Sequence, residues 1–323
     1  MKQSLYPLKF DPVLKKKVWG GSKLATLFGK KGSGDIGESW ELSGVEGNVS
    51  CVSEGALKGV QLTDLITTYG ADLLGKKVQE TYGNTFPLLF KFIDARLDLS
   101  VQLHPDDRLA MARHNSFGKT EMWYIMHAEE DARLILGFNR EMDQETYLTF
   151  LNDGKITDIL YEEPVTAGDS FFIAPGTVHA IGAGTLLAEI QQTSDITYRI
   201  YDWDRPDADG SMRELHTELA LDAIDYSAPE ARIDYRELEN SIIPLCSKTY
   251  FETNKWVLSE ATERKLDGID SFVVYMCVEG ALQLRTDHGE ISLERGETAL
   301  LPAFIDRVLF DTEEATILEV YVP

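Results

Sequence analysis

Gln102 and His104 stand two apart in the stretch Ser100-Val101-Gln102-Leu103-His104-Pro105-Asp106-Asp107. Alternate residues of a β-strand share a face, so these two side chains project together while Val101 and Leu103 turn toward a core. An amide oxygen beside a neutral imidazole makes part of a divalent-metal site, which a carboxylate and a second histidine would complete. A second histidine, His179, follows a Pro-Gly turn in Ala174-Pro175-Gly176-Thr177-Val178-His179, and Glu121 sits at the start of the strand-like run Lys119-Thr120-Glu121-Met122-Trp123-Tyr124-Ile125-Met126. A histidine at a strand end also serves as an ordinary hydrogen-bonded structural residue, and spacing alone leaves both readings open.

Lys91 interrupts an otherwise apolar strand pattern, Phe86-Pro87-Leu88-Leu89-Phe90-Lys91-Phe92-Ile93. Burying an unpaired ammonium is costly, so this lysine must be paired or must face a cavity. Lys15, Lys16 and Lys17 form the only basic cluster, read either as a solvated strand edge or as a positive approach to a pocket. His114, His127, His216 and His288 lack comparable company and read as surface or structural.

The elements that must hold these residues are mostly short strands. Gly-Asp and Pro-Gly turns punctuate apolar runs in the manner of a jelly-roll barrel. Pro105 stops one strand and opens a helix to about His114, with Asp106 and Asp107 at its positive end. Residues 61–78 carry helical spacing interrupted by Gly70, residues 141–163 read as a short helical insertion, and 214–226 as a further helix. The charged stretch 227–240 marks a boundary, giving domains 1–238 and 239–323. The second domain carries a faded repeat of the first: Val274-Tyr275-Met276 echoes Trp123-Tyr124-Ile125, and Arg295-Gly296-Glu297 echoes Ala167-Gly168-Asp169. Only the first copy has the histidine after the Pro-Gly turn, His179.

Composition bounds the function. With 43% apolar and 10% aromatic residues among 323, the chain is globular. A net charge of −23 repels a phosphate backbone, which argues against nucleic-acid partners. No apolar run approaches a membrane span and no secretory segment opens the sequence, so no membrane partner is expected. Cys51, Cys246 and Cys277 are far apart with no CxxC pair, as reduced thiols of a cytoplasmic protein are.

The segment Gly168-Asp169 through Pro175-Gly176 to His179 resembles the second motif of the cupin superfamily. A generic cupin departs from this chain, in which Gln102 stands at the usual first histidine and Glu121 lies far beyond His104. Leu99-Ser100-Val101-Gln102-Leu103-His104-Pro105-Asp106, Lys119-Thr120-Glu121-Met122-Trp123, Pro175-Gly176-Thr177-Val178-His179-Ala180 and Tyr198-Arg199 before Tyr201-Asp202-Trp203 resemble the type I mannose-6-phosphate isomerases in their short bacterial form. The resemblance runs from about Trp19-Gly20 to Trp203-Asp204-Arg205.

It implies a mainly β fold, a cupin barrel with a short helical insertion followed by a degenerate cupin-like domain without metal ligands. It also implies one Zn²⁺ per chain held by Gln102, His104, Glu121 and His179, and an aldose–ketose isomerisation of a phosphosugar. Arg199 matches the family's active-site arginine, with an ordinary salt bridge to Asp202 as the plainer reading. Lys91 and Lys119 would bind phosphate or move protons, Ser100 would hydrogen-bond the phosphate, and Glu189 would take the carbon-bound proton unless it is a structural carboxylate. Trp19 and Trp40 would wall the pocket. The expected assembly is a monomer or homodimer. Two other functions fit a cupin barrel: a non-haem iron oxygenase, should Gln102 not be a ligand, and a non-catalytic sugar-phosphate module.

Overall fold

The computed structural model describes residues 3–32, 34–207 and 209–323. Two sheets of the first half pack face to face. One, of six strands, runs Ser170–Ile173, Glu121–Ala128, Thr185–Gln192, Leu88–Ala95, Val13–Gly21 and Ile36–Leu42. The other, of five, runs Tyr198–Tyr201, Val101–Leu103, His179–Ile181, Arg133–Phe138 and Leu160–Pro164. Ile93, Trp123, Ile125 and Leu187 from the first sheet meet Leu134, Leu136 and Ile181 from the second in one buried cluster. This is the sandwich that alternating apolar patterns predict, closed at the ends by turns. The mainly β, cupin-type fold is as expected.

The second half forms a barrel of the same kind. Its long strand Val273–Thr286 pairs with Ala315–Tyr321 and Thr298–Leu301, and Ala315–Tyr321 pairs on its other edge with Glu252–Leu258. The first strand of the chain joins this sheet: Leu8 lies opposite Leu300, and Lys9 opposite Ala299. One apolar core, including Leu8, Phe86, Phe90, Phe272, Val274 and Leu318, therefore runs through both halves.

The internal repeat is real, in a register one residue from the sequence match. Gly168 N donates to Ile125 O at 2.8 Å and Ile125 N to Asp169 O at 2.9 Å; Gly296 N donates to Cys277 O at 2.8 Å and Cys277 N to Glu297 O at 2.9 Å. Cys277 is thus the counterpart of Ile125, and Tyr275 of Trp123. Both glycines have positive φ, 95° and 84°, which the turn requires and a Cβ would resist.

Helix limits move from the sequence reading. The helix after Pro105 spans Asp107–His114, because Asp106 remains extended and caps it through a 2.7 Å bond from Leu109 N. The 61–78 stretch is broken into Leu62–Tyr69, Ala71–Leu74 and Lys76–Tyr82 at Gly70 and Gly75. The 214–226 stretch is helical only over Thr217–Leu221. The insertion holds the helix Gln144–Asn152 and a 3₁₀ turn at Ile156–Ile159, after which the chain re-enters the five-stranded sheet.

Candidate active site

His179 lies directly across from Gln102, and Gln102 from Arg199, because Val101–Leu103 sits between the strands His179–Ile181 and Tyr198–Tyr201. Glu121 comes from the facing sheet. His104 follows the end of its strand and is fixed by the Pro-Gly turn, where Gly176 N donates to His104 O at 2.8 Å. Gly176 has φ 85°, and a Cβ there would stand 2.5 Å from Ala223 O, so only glycine makes this turn.

Each imidazole has its Nδ1 committed to a backbone carbonyl and its Nε2 turned toward the cluster. His104 Nδ1 donates to Ile196 O at 2.9 Å, and His179 Nδ1 to Thr177 O at 2.8 Å. Both Nε2 atoms point at Glu121, 3.5 Å from Oε1 for His104 and 3.8 Å from Oε2 for His179. The ligating atoms of His104, Glu121 and His179 lie within 4.8 Å of one another, and all three residues are buried. His179 Nε2 and Glu121 Oε2 are buried without a hydrogen-bond partner. Lys119 Nζ stands in for a cation at this focus, 2.6 Å from Glu121 Oε1 and 3.1 Å from His104 Nε2.

Electrostatics agree. Burial pushes the His104 imidazole well below its ordinary range, aided by Lys119, and burial pushes His179 down as well. Both are thus neutral, the form that ligates a metal. Burial alone would raise Glu121, but the adjacent Lys119 ammonium overcomes it and holds the carboxyl below its usual value. An oxygen with no partner, two neutral imidazoles and an adjacent amide fit a divalent metal.

A cavity of about 150 Å³ opens beside this cluster, lined by Gln102 and His179 and by Ser100, Lys91, Lys119, Glu189 and Arg199. Trp19 and Trp40 wall it. The larger groove of about 1050 Å³, near Phe138, Tyr226 and Arg232, lies apart and holds none of these groups. We take the smaller cavity as the site, because the ligating and cationic groups converge there. Of the candidate site residues named from the sequence, all but His104 and Glu121 line it, and those two join His179 in the buried cluster.

Lys91 is buried, donating to Glu189 Oε1 at 2.7 Å and Gln191 Oε1 at 2.5 Å. Burial alone would lower its pKa; Glu189, Glu38 and Glu121 reverse that and raise it, so the ammonium is charged. Ser100 Oγ donates to Gln102 Oε1 at 3.2 Å, orienting the amide. Arg199 is not salt-bridged to Asp202. That carboxylate binds Arg205 and Arg213 instead, while Arg199 Nη1 donates to Glu214 O at 2.9 Å and Nε has no hydrogen-bond partner among the described residues.

Sequence reasoning missed Glu38, Asp195, Thr197 and Arg213, which also line the cavity. Of the basic cluster Lys17 alone lines the cavity, 3.1 Å from Glu38 Oε1, while Lys15 binds Asn48 and Lys16 is exposed. Glu38 alternates with Trp40 on one strand, a signal that pointed at the same face. Arg213 lies in a loop and carried none. The lining sets five cations (Lys17, Lys91, Lys119, Arg199, Arg213) against three carboxylates (Glu38, Glu189, Asp195). A chain of net charge −23 thus keeps a local positive well, within the ~8 Å reach of charges at physiological salt.

Comparison with known proteins places this geometry. Residues 7–120 match the family model of the type I phosphomannose isomerase catalytic domain, and residues 242–322 that of the mannose-6-phosphate isomerase cupin domain. The chain is 37% identical over 300 residues to mannose-6-phosphate isomerase ManA of Bacillus subtilis, covering 92% of this chain and 93% of the relative. The chain belongs to the type I phosphomannose isomerase family.

Mannose-6-phosphate isomerase of Streptococcus mutans is 34% identical over 314 residues, covering 94% of this chain and 95% of that one. The crystal structure of the mannose 6-phosphate isomerase from Bacillus subtilis superposes with a TM-score of 0.89 at 32% identity, over 98% of this chain and 99% of that one. A phosphomannose isomerase mutant from Salmonella typhimurium shares the fold, with a TM-score of 0.78 at 17% identity over 98% and 100% of the two chains. Type I phosphomannose isomerases are metal-dependent isomerases, and among the described residues His104, Glu121 and His179 form a buried group with the spacing to hold a metal ion. No helix among those residues is long and apolar enough to cross a membrane.

Proposed function

We propose that the chain interconverts mannose 6-phosphate and fructose 6-phosphate through an enediol(ate), with one Zn²⁺ held by Gln102, His104, Glu121 and His179. The observation that carries this is the convergence of the His-Glu-His cluster and five buried or half-buried cations on one cavity. The bound ion would supply Lewis-acid polarisation of the sugar oxygens.

The protein's own groups supply the rest. Moving a proton between C1 and C2 builds negative charge on oxygen, which Arg199 is placed to meet through its unpartnered Nε and planar fork. Lys91, Ser100 and Lys119 bind the phosphosugar, and Lys119 is also positioned to pass protons between oxygens at the metal cluster. Trp19, Trp40 and Trp123 exclude water from the cavity walls, which strengthens each of these charges. We place the enzyme in the cytoplasm, where its three unpaired cysteines stay reduced, as a monomer or homodimer.

The test is a coupled assay with mannose 6-phosphate, before and after a chelator. Turnover that vanishes on chelation and returns with Zn²⁺ is expected. Tight binding of the sugar phosphate without conversion would leave only a binding module.

A further inference from the structure

We infer that Glu189 is a positioning residue that holds the Lys91 ammonium at the cavity, and that the carbon-bound proton goes to another group. The inference rests on the isomerase reading and on comparing the two barrels of the one chain. It replaces the base that the sequence suggested.

In the catalytic barrel Glu189 occupies a central strand, across from Trp123 on one side and Lys91 on the other. Its Oε2 accepts from Trp123 Nε1 at 2.9 Å and its Oε1 from Lys91 Nζ at 2.7 Å. In the C-terminal barrel Glu319 occupies the matching strand, across from Tyr275 and Asn254. Its Oε2 accepts from Tyr275 OH at 2.9 Å and its Oε1 from Asn254 Nδ2 at 3.0 Å. The equivalence follows from the turn hydrogen bonds that place Tyr275 at the Trp123 position, not from a choice of alignment.

The second barrel lacks the metal cluster and the cation-lined cavity of the first among the described residues. Apolar side chains such as Trp256, Phe310 and Ile317 fill it, and the described residues form no metal-ligating cluster there. A carboxylate clamped between the two neighbouring strands is therefore what this fold builds at the position, independent of catalysis. The barrels differ in what the clamp holds. Glu319 grips a neutral amide, and Arg264 fills its remaining acceptor sites at 2.9 and 3.0 Å. Glu189 grips an ammonium that faces an open cavity. Both of its oxygens are committed to buried donors, and turning either toward a C–H bond would strand one of them.

The experiment compares wild type, Glu189→Gln, Lys91→Met and the double variant, each metal-loaded, by steady-state turnover of mannose 6-phosphate. Glu189→Gln should raise KM about tenfold and leave kcat within a few-fold. The double variant should match Lys91→Met to within about twofold, because Glu189 acts only through Lys91. A normal KM with kcat reduced about 10³-fold or more in Glu189→Gln would overturn the inference, as would effects that multiply in the double variant. Should Glu189→Gln fail to fold, the comparison of Lys91→Met with the double variant decides, since neither contains the buried ammonium. Equal kcat supports positioning and a further large drop overturns it. Wild type without turnover would instead sink the isomerase reading.

Discussion

At His104 and His179 one ring nitrogen decides what the other does. Each Nδ1 is tied to a backbone carbonyl, which presents Nε2 to the cluster and keeps both rings from turning away. Replacing His179 or Glu121 by alanine should therefore abolish bound metal and activity together, read by metal analysis and turnover on the same sample. Arg199→Ala should keep the metal and cut turnover by about 10²–10³-fold, as loss of one preorganised donor to a developing oxyanion does. Arg199→Lys should not restore it, since a point charge lacks the fork. Strand alternation made Gln102 and His104 legible as a pair, whereas Glu121 and His179 joined them as ligands only through the family resemblance. Asp195 and Arg213 were not, because they reach the cavity only through the path of loops, which no local pattern encodes.

The short helix Lys23–Phe28 shows how an element depends on a residue far along the chain. Asp94, fully buried, accepts from Lys23 N at 2.6 Å and caps the helix that Ser22 leaves without a side-chain cap. Gly21 makes room: a Cβ there would stand 2.3 Å from Asp94 Oδ2. Burial raises the Asp94 carboxyl above its ordinary 3.8, more than the Lys23 contacts lower it. Between that value and the folded one, the native state holds more protons than the unfolded state, so stability falls as pH rises through the window and is level above it. Asp94→Asn keeps an acceptor for Lys23 N and removes the titration. Urea unfolding from pH 4 to 7 should show wild type losing stability relative to Asp94→Asn as pH rises, and parallel curves would refute the assignment. Such long-range caps also explain why helix limits were the least legible part of the sequence. Periodicity marks an apolar face, whereas Gly70, Gly75 and Asp106 set where each turn stops.

Over the whole molecule, the two barrels leave little room for stray chemistry. Burial pushes Cys246 up to about 11 and Cys277 up to about 12, so neither is a thiolate near neutrality. Iodoacetamide at pH 8 should modify at most Cys51 in the folded chain and all three cysteines in denaturant, counted by mass spectrometry. The repeat was legible in outline because its Gly-Asp and Gly-Glu turns are local. Its register was not, since cross-strand pairing fixes it. The pairing of Leu8 with Leu300 has a consequence in time. A ribosome adding roughly 5–20 residues each second delivers the partner strand tens of seconds after the first strand has emerged. During that interval the nascent chain can complete its metal cluster but not its own edge. A chain that stops before Leu300 leaves Leu8 and Lys9 without their cross-strand partners while Phe10 and Asp11 still pair with Val52 and Cys51, so truncated copies keep one exposed strand edge, the kind of surface that invites aggregation.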